Sequence, residues 1–98
     1  MSRPADEEVF KRDGFCCVYC GFDGRTFEGW KHLVVDHFKP TKRGGKEELE
    51  NLVTSCDQCN FMKGPWKQWP TLEAAKQEIA KWHDQMREYW ETKVKPLL

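Results

Sequence analysis

Val34-Val35-Asp36-His37-Phe38-Lys39-Pro40 and Asn51-Leu52-Val53-Thr54-Ser55-Cys56-Asp57-Gln58-Cys59-Asn60-Phe61-Met62-Lys63-Gly64, with a Gly44-Gly45 turn between them, decide how this chain folds. The adjacent valines and flanking apolar residues of 31–38 predict a strand, and Pro40 ends it. Residues 49–54 predict a second strand or extended approach. Ser55 or Asp57 can cap the helix that follows, and Gly64-Pro65 closes it. An acid beside a histidine at a strand end, opposite a polar helix start, can hold a hard divalent cation and a general base together.

Two Cys-x-x-Cys knuckles bracket this stretch, Cys17/Cys20 and Cys56/Cys59, with about 35 residues between them. Cysteines two residues apart can place both sulfurs on one tetrahedral ion, and Gly21 permits the turn between them. The chain has 5 cysteines, an odd number, and neither a signal peptide nor a long apolar run. These features point to a reducing cytoplasmic setting and a zinc ion on Cys17, Cys20, Cys56 and Cys59, with disulfides the weaker reading. Cys16 is left as a small buried or spare thiol. A site closed by four cysteines has no open position for water, so this zinc is structural.

At 98 residues, 39% hydrophobic and 33% charged, the chain is one small globular domain with a modest core, where a structural metal is a usual supplement. Its net charge of +0 is not that of a strong duplex binder. Four zinc-bound thiolates would lower the total by roughly two and a second divalent ion would restore it, so bound metals set the field at the site. Any affinity for nucleic acid falls to a local patch: Lys39, Lys42, Arg43 and Lys46 in and beside the turn 41–46, with Lys63 a further phosphate contact or helix cap.

Residues 4–12 predict a short helix with acids in its first turn and Lys11-Arg12 in its last; Arg12 reads as a solvated end charge. Residues 22–30, with two glycines, predict a loop, and 66–70 an aromatic linker. From a Thr71 cap, Leu72, Ala75, Ile79, Trp82, Met86, Tyr89, Trp90 and Val94 step by three and four, a long amphipathic helix over about 71–94. Its apolar stripe reads first as core packing and second as a partner surface. His32 reads as an ordinary hydrogen-bonded histidine and His83 as a flank residue rather than a ligand.

Taken together, Cys17-Val18-Tyr19-Cys20-Gly21, Val35-Asp36-His37-Phe38-Lys39-Pro40, Gly44-Gly45, Glu50-Asn51-Leu52-Val53 and the run from Cys56 to Gly64 resemble the HNH endonuclease family. The resemblance covers about residues 12–64. It implies an α+β chain: a small ββα-metal core with a four-cysteine zinc site, a short N-terminal helix and a long C-terminal helix, one domain over 1–98. It implies His37 as the general base that activates water, Asp36 as the carboxylate on the catalytic ion, and Asn51 as a brace behind the base. Asn60 stands where the motif ends in His, as in a subset of the family. Asp36 and Asn60 would give that ion an all-oxygen pair suited to Mg²⁺ or Mn²⁺.

The implied activity is divalent-metal-dependent hydrolysis of phosphodiester bonds in double-stranded DNA. One site per monomer implies nicking; a dimer through the C-terminal helix could cut both strands. No membrane association is expected. The competing reading is a zinc-stabilised module that binds nucleic acid or protein without cutting. Strand alternation sends Asp36 and His37 to opposite faces, so a shared cleft requires a twist or bulge at the strand end. His37 also needs a partner on its second ring nitrogen, expected from a carbonyl near Asn51.

Overall fold

The Gly44-Gly45 turn is fixed by sterics. In a computed structural model of the chain, which describes residues 3–98, Gly44 has φ +88°. A Cβ on Gly45 would lie 1.7 Å from the Lys39 carbonyl oxygen, so only glycine fits. The chain reverses there and returns as the second strand of a hairpin. In order, the elements are α1 (Asp6–Arg12), α2 (Phe27–Trp30), β1 (Leu33–His37), β2 (Leu52–Cys56), α3 (Asp57–Lys63) and α4 (Leu72–Tyr89). Short 3-10 turns occupy Thr41–Arg43 and Leu49–Asn51. Past α4 the chain continues as a π-helical stretch, Trp90–Val94, and a final 3-10 turn, Lys95–Leu97.

β1 and β2 pair antiparallel in an unbroken register from Leu33↔Cys56 to His37↔Leu52. α1 covers one face of this hairpin, where Val9 and Leu52 are fully buried and the Thr54 hydroxyl donates to the Val9 carbonyl at 3.3 Å. The other face packs Val53 with Tyr19, Trp69, Ile79 and the knuckle cysteines, under α3 and the first turns of α4. A two-stranded hairpin is marginal alone, so the helices on both faces supply most of its burial.

Several expectations are corrected by this packing. The segment 22–30 is not all loop: Thr26 caps the single turn of α2 by accepting from Gly29 N at 3.1 Å. The second strand starts at Leu52, because 49–51 are coiled into a 3-10 turn. α3 is capped by neither Ser55 nor Asp57; the Cys56 sulfur accepts from Cys59 N at 3.4 Å. Arg12 is no free end charge, since it donates to the carbonyls of Leu49 and Leu52 and to Asp13. Trp69 is a core centre rather than a linker residue, 4% exposed, with ring centroids 5.7 Å from Tyr19, 6.1 Å from Trp82 and 6.4 Å from Phe38. α4 opens on Thr71 as expected, yet its stripe packs only in its first half. Ala75 and Ile79 are buried, whereas Met86, Tyr89 and Trp90 are exposed.

Candidate functional site

The two knuckles meet. The sulfurs of Cys17, Cys20, Cys56 and Cys59 all lie within 4.8 Å of one another, and Cys20 and Cys56 are 3.8 Å apart. Four thiolates about 2.3 Å from a tetrahedral ion stand about 3.8 Å apart, so the cluster fits zinc. Local backbone bonds build it: Gly21 N donates to Cys17 O at 2.9 Å, closing the first turn, and Val18 N donates to Thr54 O at 2.9 Å, tying that turn to β2. Sharing protons, the sulfurs hold Cys17 well below the usual thiol range, because Cys20, Cys56 and Cys59 all donate to it. The thiol of Cys59 is pushed far up by Cys17, Cys20 and Cys56. A divalent cation relieves that conflict by stabilising all four thiolates together. His83, read from sequence as a bystander, places Nε2 3.8 Å from Cys59 Sγ and so joins α4 to the cluster's edge.

Asp36 and His37 part company. The register carries no bulge, so Asp36, opposite Val53, points to the α3 side and His37, opposite Leu52, to the α1 side. Asp36 is 7% exposed and both its oxygens are held. Tyr19 Oη donates to Oδ2 at 2.5 Å and Lys63 Nζ donates to Oδ1 at 3.1 Å. Burial first, and then the charge of Asp36, push the Tyr19 phenol far above its ordinary range, so it remains a donor. Lys63, expected at a phosphate, is instead buried; its ammonium also donates to the His37 carbonyl at 2.6 Å. Asn60 lies exposed on α3.

On the other side, His37 Nε2 is 2.7 Å from Glu47 Oε1, and Glu47 Oε2 is 3.0 Å from Arg3 Nε. The expected carbonyl near Asn51 is therefore replaced by a carboxylate. Nothing in the sequence announced Glu47 beyond an acid directly after a basic turn. An ionised carboxylate only accepts, so Nε2 is the donor to Glu47, and in the neutral imidazole Nδ1 keeps its lone pair. Asn51 staples the loop behind this pair: Oδ1 accepts from Lys39 N at 2.8 Å, and Nδ2 donates to the carbonyls of Lys39 and Lys46 at 3.0 Å each.

Lys39, Lys42 and Lys46 are exposed and have no ion-pair partner among the described residues. Arg43 differs, because its Nε donates to the Trp66 carbonyl at 2.5 Å and its guanidinium lies 6.0 Å from the Trp66 ring centroid. His32 makes the ordinary bond expected of it, Nδ1 to Asp57 Oδ2 at 2.9 Å. Cys16 is partly buried; its backbone bridges to Asp23, and its N donates to the Asp13 carbonyl at 3.4 Å.

A ββα arrangement with a histidine at the hairpin end, a braced loop and two knuckles defines the HNH class. Residues 17–65 match the family model for the HNH endonuclease, half of the chain, and the chain belongs to that family. It is similar to the type 4 apparatus protein DotN of Legionella pneumophila subsp. pneumophila (strain Philadelphia 1), 31% identical over 61 residues. The match covers 59% of this chain and 25% of DotN, so the chain spans about a quarter of the length of this curated relative. No solved structure matches the chain.

Proposed function

We propose that this protein is a nuclease that hydrolyses phosphodiester bonds in double-stranded DNA, with His37 as its general base. The observation that supports this is the His37–Glu47 contact at 2.7 Å, which engages Nε2 and leaves Nδ1 as the ring nitrogen for a water. A water at Nδ1 gives its proton to the imidazole as its oxygen forms the new bond to phosphorus. The P–O bond to the leaving 3′-oxygen breaks, and that oxygen takes up a proton. Asn51 holds the loop that presents Lys39 and Lys46, whose ammonium groups, with Lys42, bind backbone phosphates.

Dependence on Mg²⁺ or Mn²⁺ belongs to the same proposal, with Asp36 and Asn60 as donors. While Lys63 and Tyr19 occupy both oxygens of Asp36, and Asp36 lies on the opposite face of the hairpin from His37, the pair does not fit such an ion. The four cysteines fit zinc, and its role is structural: it joins the knuckle before β1 to the start of α3. One His37 per chain engages one strand, so the monomer nicks.

A second reading is favoured by the neutralised Asp36: a zinc-held module that binds nucleic acid or protein without cutting. The name of DotN, an apparatus protein, is in keeping with it. Supercoiled plasmid incubated with the protein and Mn²⁺, Mg²⁺ or EDTA separates the two. Cutting that needs the ion and is lost in His37→Ala supports the nuclease. DNA retention with no cutting under any condition supports the binding module.

A further inference from the structure

Asp36, Lys63 and Tyr19 form a closed set. The side chains of Lys63 and Asp36 are 1% and 8% exposed, and the Nζ–Oδ1 distance is 3.1 Å. Tyr19 is 4% exposed and adds a donor without adding charge. One carboxylate and one ammonium cancel, so the site is electrically neutral as built. A divalent ion added beside the ammonium would put an excess of positive charge in a buried pocket, which low-dielectric surroundings penalise steeply. Removal of the ammonium would leave a buried carboxylate with no cation, which is as unfavourable. Asp36 therefore needs one cation at a time. We propose that Lys63 is the resident cation of the Asp36 site, and that a divalent ion reaches Asp36 only by displacing it. Lys63 thereby sets the ion affinity of the site.

Displacement has a second effect within the same side chain. The Lys63 ammonium also donates to the His37 carbonyl at 2.6 Å, so its departure frees the backbone of the base as it opens the carboxylate. Asp36 and His37 point to opposite faces of the hairpin, and Lys63 is the group that touches both. Ion entry and the position of His37 are thus linked through one lysine.

This inference rests on the assignment of Asp36 as an ion ligand, and its tests read ion binding without DNA. Zinc-loaded full-length protein is titrated with Mn²⁺, and the free ion is followed by electron paramagnetic resonance. Lys63→Met should bind at least about 10-fold tighter than the parent, as loss of one adjacent positive charge predicts. Asp36→Asn in the Lys63→Met background should abolish that binding. Unchanged or weaker binding by Lys63→Met overturns the proposal. Should Lys63→Met fail to fold, judged by zinc content and near-ultraviolet circular dichroism, the unmodified protein still answers. Reductive methylation followed by mass spectrometry should find Lys63 protected without Mn²⁺ and modified at saturating Mn²⁺. Protection that does not respond to Mn²⁺ overturns the proposal as well. A protein that passes these tests and leaves plasmid uncut refutes the nuclease reading alone.

Discussion

In the proposed reaction His37 would take a proton from water through Nδ1, because Nε2 is engaged by Glu47 at 2.7 Å. His37→Ala should lower turnover about 10²- to 10⁴-fold, the usual contribution of a general base, with zinc content unchanged. Glu47→Gln keeps the shape but lets the amide donate to Nε2 and invert the tautomer; a loss of about 10- to 100-fold is expected. Single-turnover rates on a nicked-plasmid assay check both, and a Glu47→Gln rate equal to the parent's removes Glu47 from the mechanism. At this scale the sequence was partly legible. Asp36, His37 and Asn51 were legible as candidates because neighbours in a motif carry them. Glu47 was not, since it meets His37 only through the path of a ten-residue loop. The burial of Lys63 was hidden for a similar reason: a lysine on a helix end reads as solvated until Asp36 is seen beneath it.

Elements hold the site through a few cross-links that local pattern does not reveal. Asp13 accepts from Arg12 at 2.9 Å and from Thr54 N at 2.8 Å, fastening the end of α1 to β2. Burial alone would raise the Asp13 carboxyl, yet the bonds from Arg12 and Thr54 outweigh it and hold it below the usual carboxylate range. A depressed carboxyl stabilises the fold above its unfolded-state titration and loses that contribution as pH falls through its folded-state value. Asp13→Asn should therefore cost about 1–3 kcal/mol at pH 7, and its deficit relative to the parent should shrink toward zero in acid; urea melts across pH measure it. Cys56 caps α3 and stands in the four-sulfur cluster that fits zinc. Cys56→Ser restores a cap but not a thiolate, so loss of zinc and of cooperative folding is the expected result of metal analysis and melting. In the basic turn, each of Lys39→Ala, Lys42→Ala and Lys46→Ala should lower the salt slope of DNA binding by about 1, while Arg43→Ala, spent on Trp66, should lower it less. Equal slopes for all four would refute that distinction. Spacing made the knuckles and hairpin legible; the shortened β2 was not, because a 3-10 turn at Leu49–Asn51 has no periodic signature.

For the whole molecule, α4 decides the shape. It runs 18 residues and extends the particle to 52 × 31 × 19 Å. No helix among the described residues is long and apolar enough to cross a membrane. Periodicity showed α4 clearly but not where its cover ends, because a stripe reads the same whether or not a core lies beneath it. Trp82 packs on the core, whereas Trp90 stands clear of it. With one His37 per chain, a time course should show supercoiled plasmid passing through open circles before linear DNA accumulates. Direct conversion to linear would instead require two sites in register, and would point to a dimer formed through that exposed end.

Trp69 lies in the layer shared with the knuckle cysteines, boxed by Tyr19, Phe38 and Trp82. Trp30, Trp66 and Trp90 are each more than two-fifths exposed, so they already emit as wetted indoles. The short-wavelength part of the protein's fluorescence should thus come from Trp69 and Trp82, both packed in the core that includes the cysteines. A chelator that strips the cluster should send that component to the red while the rest of the spectrum stays put. The chain would thus carry its own optical gauge of whether that cluster holds a metal.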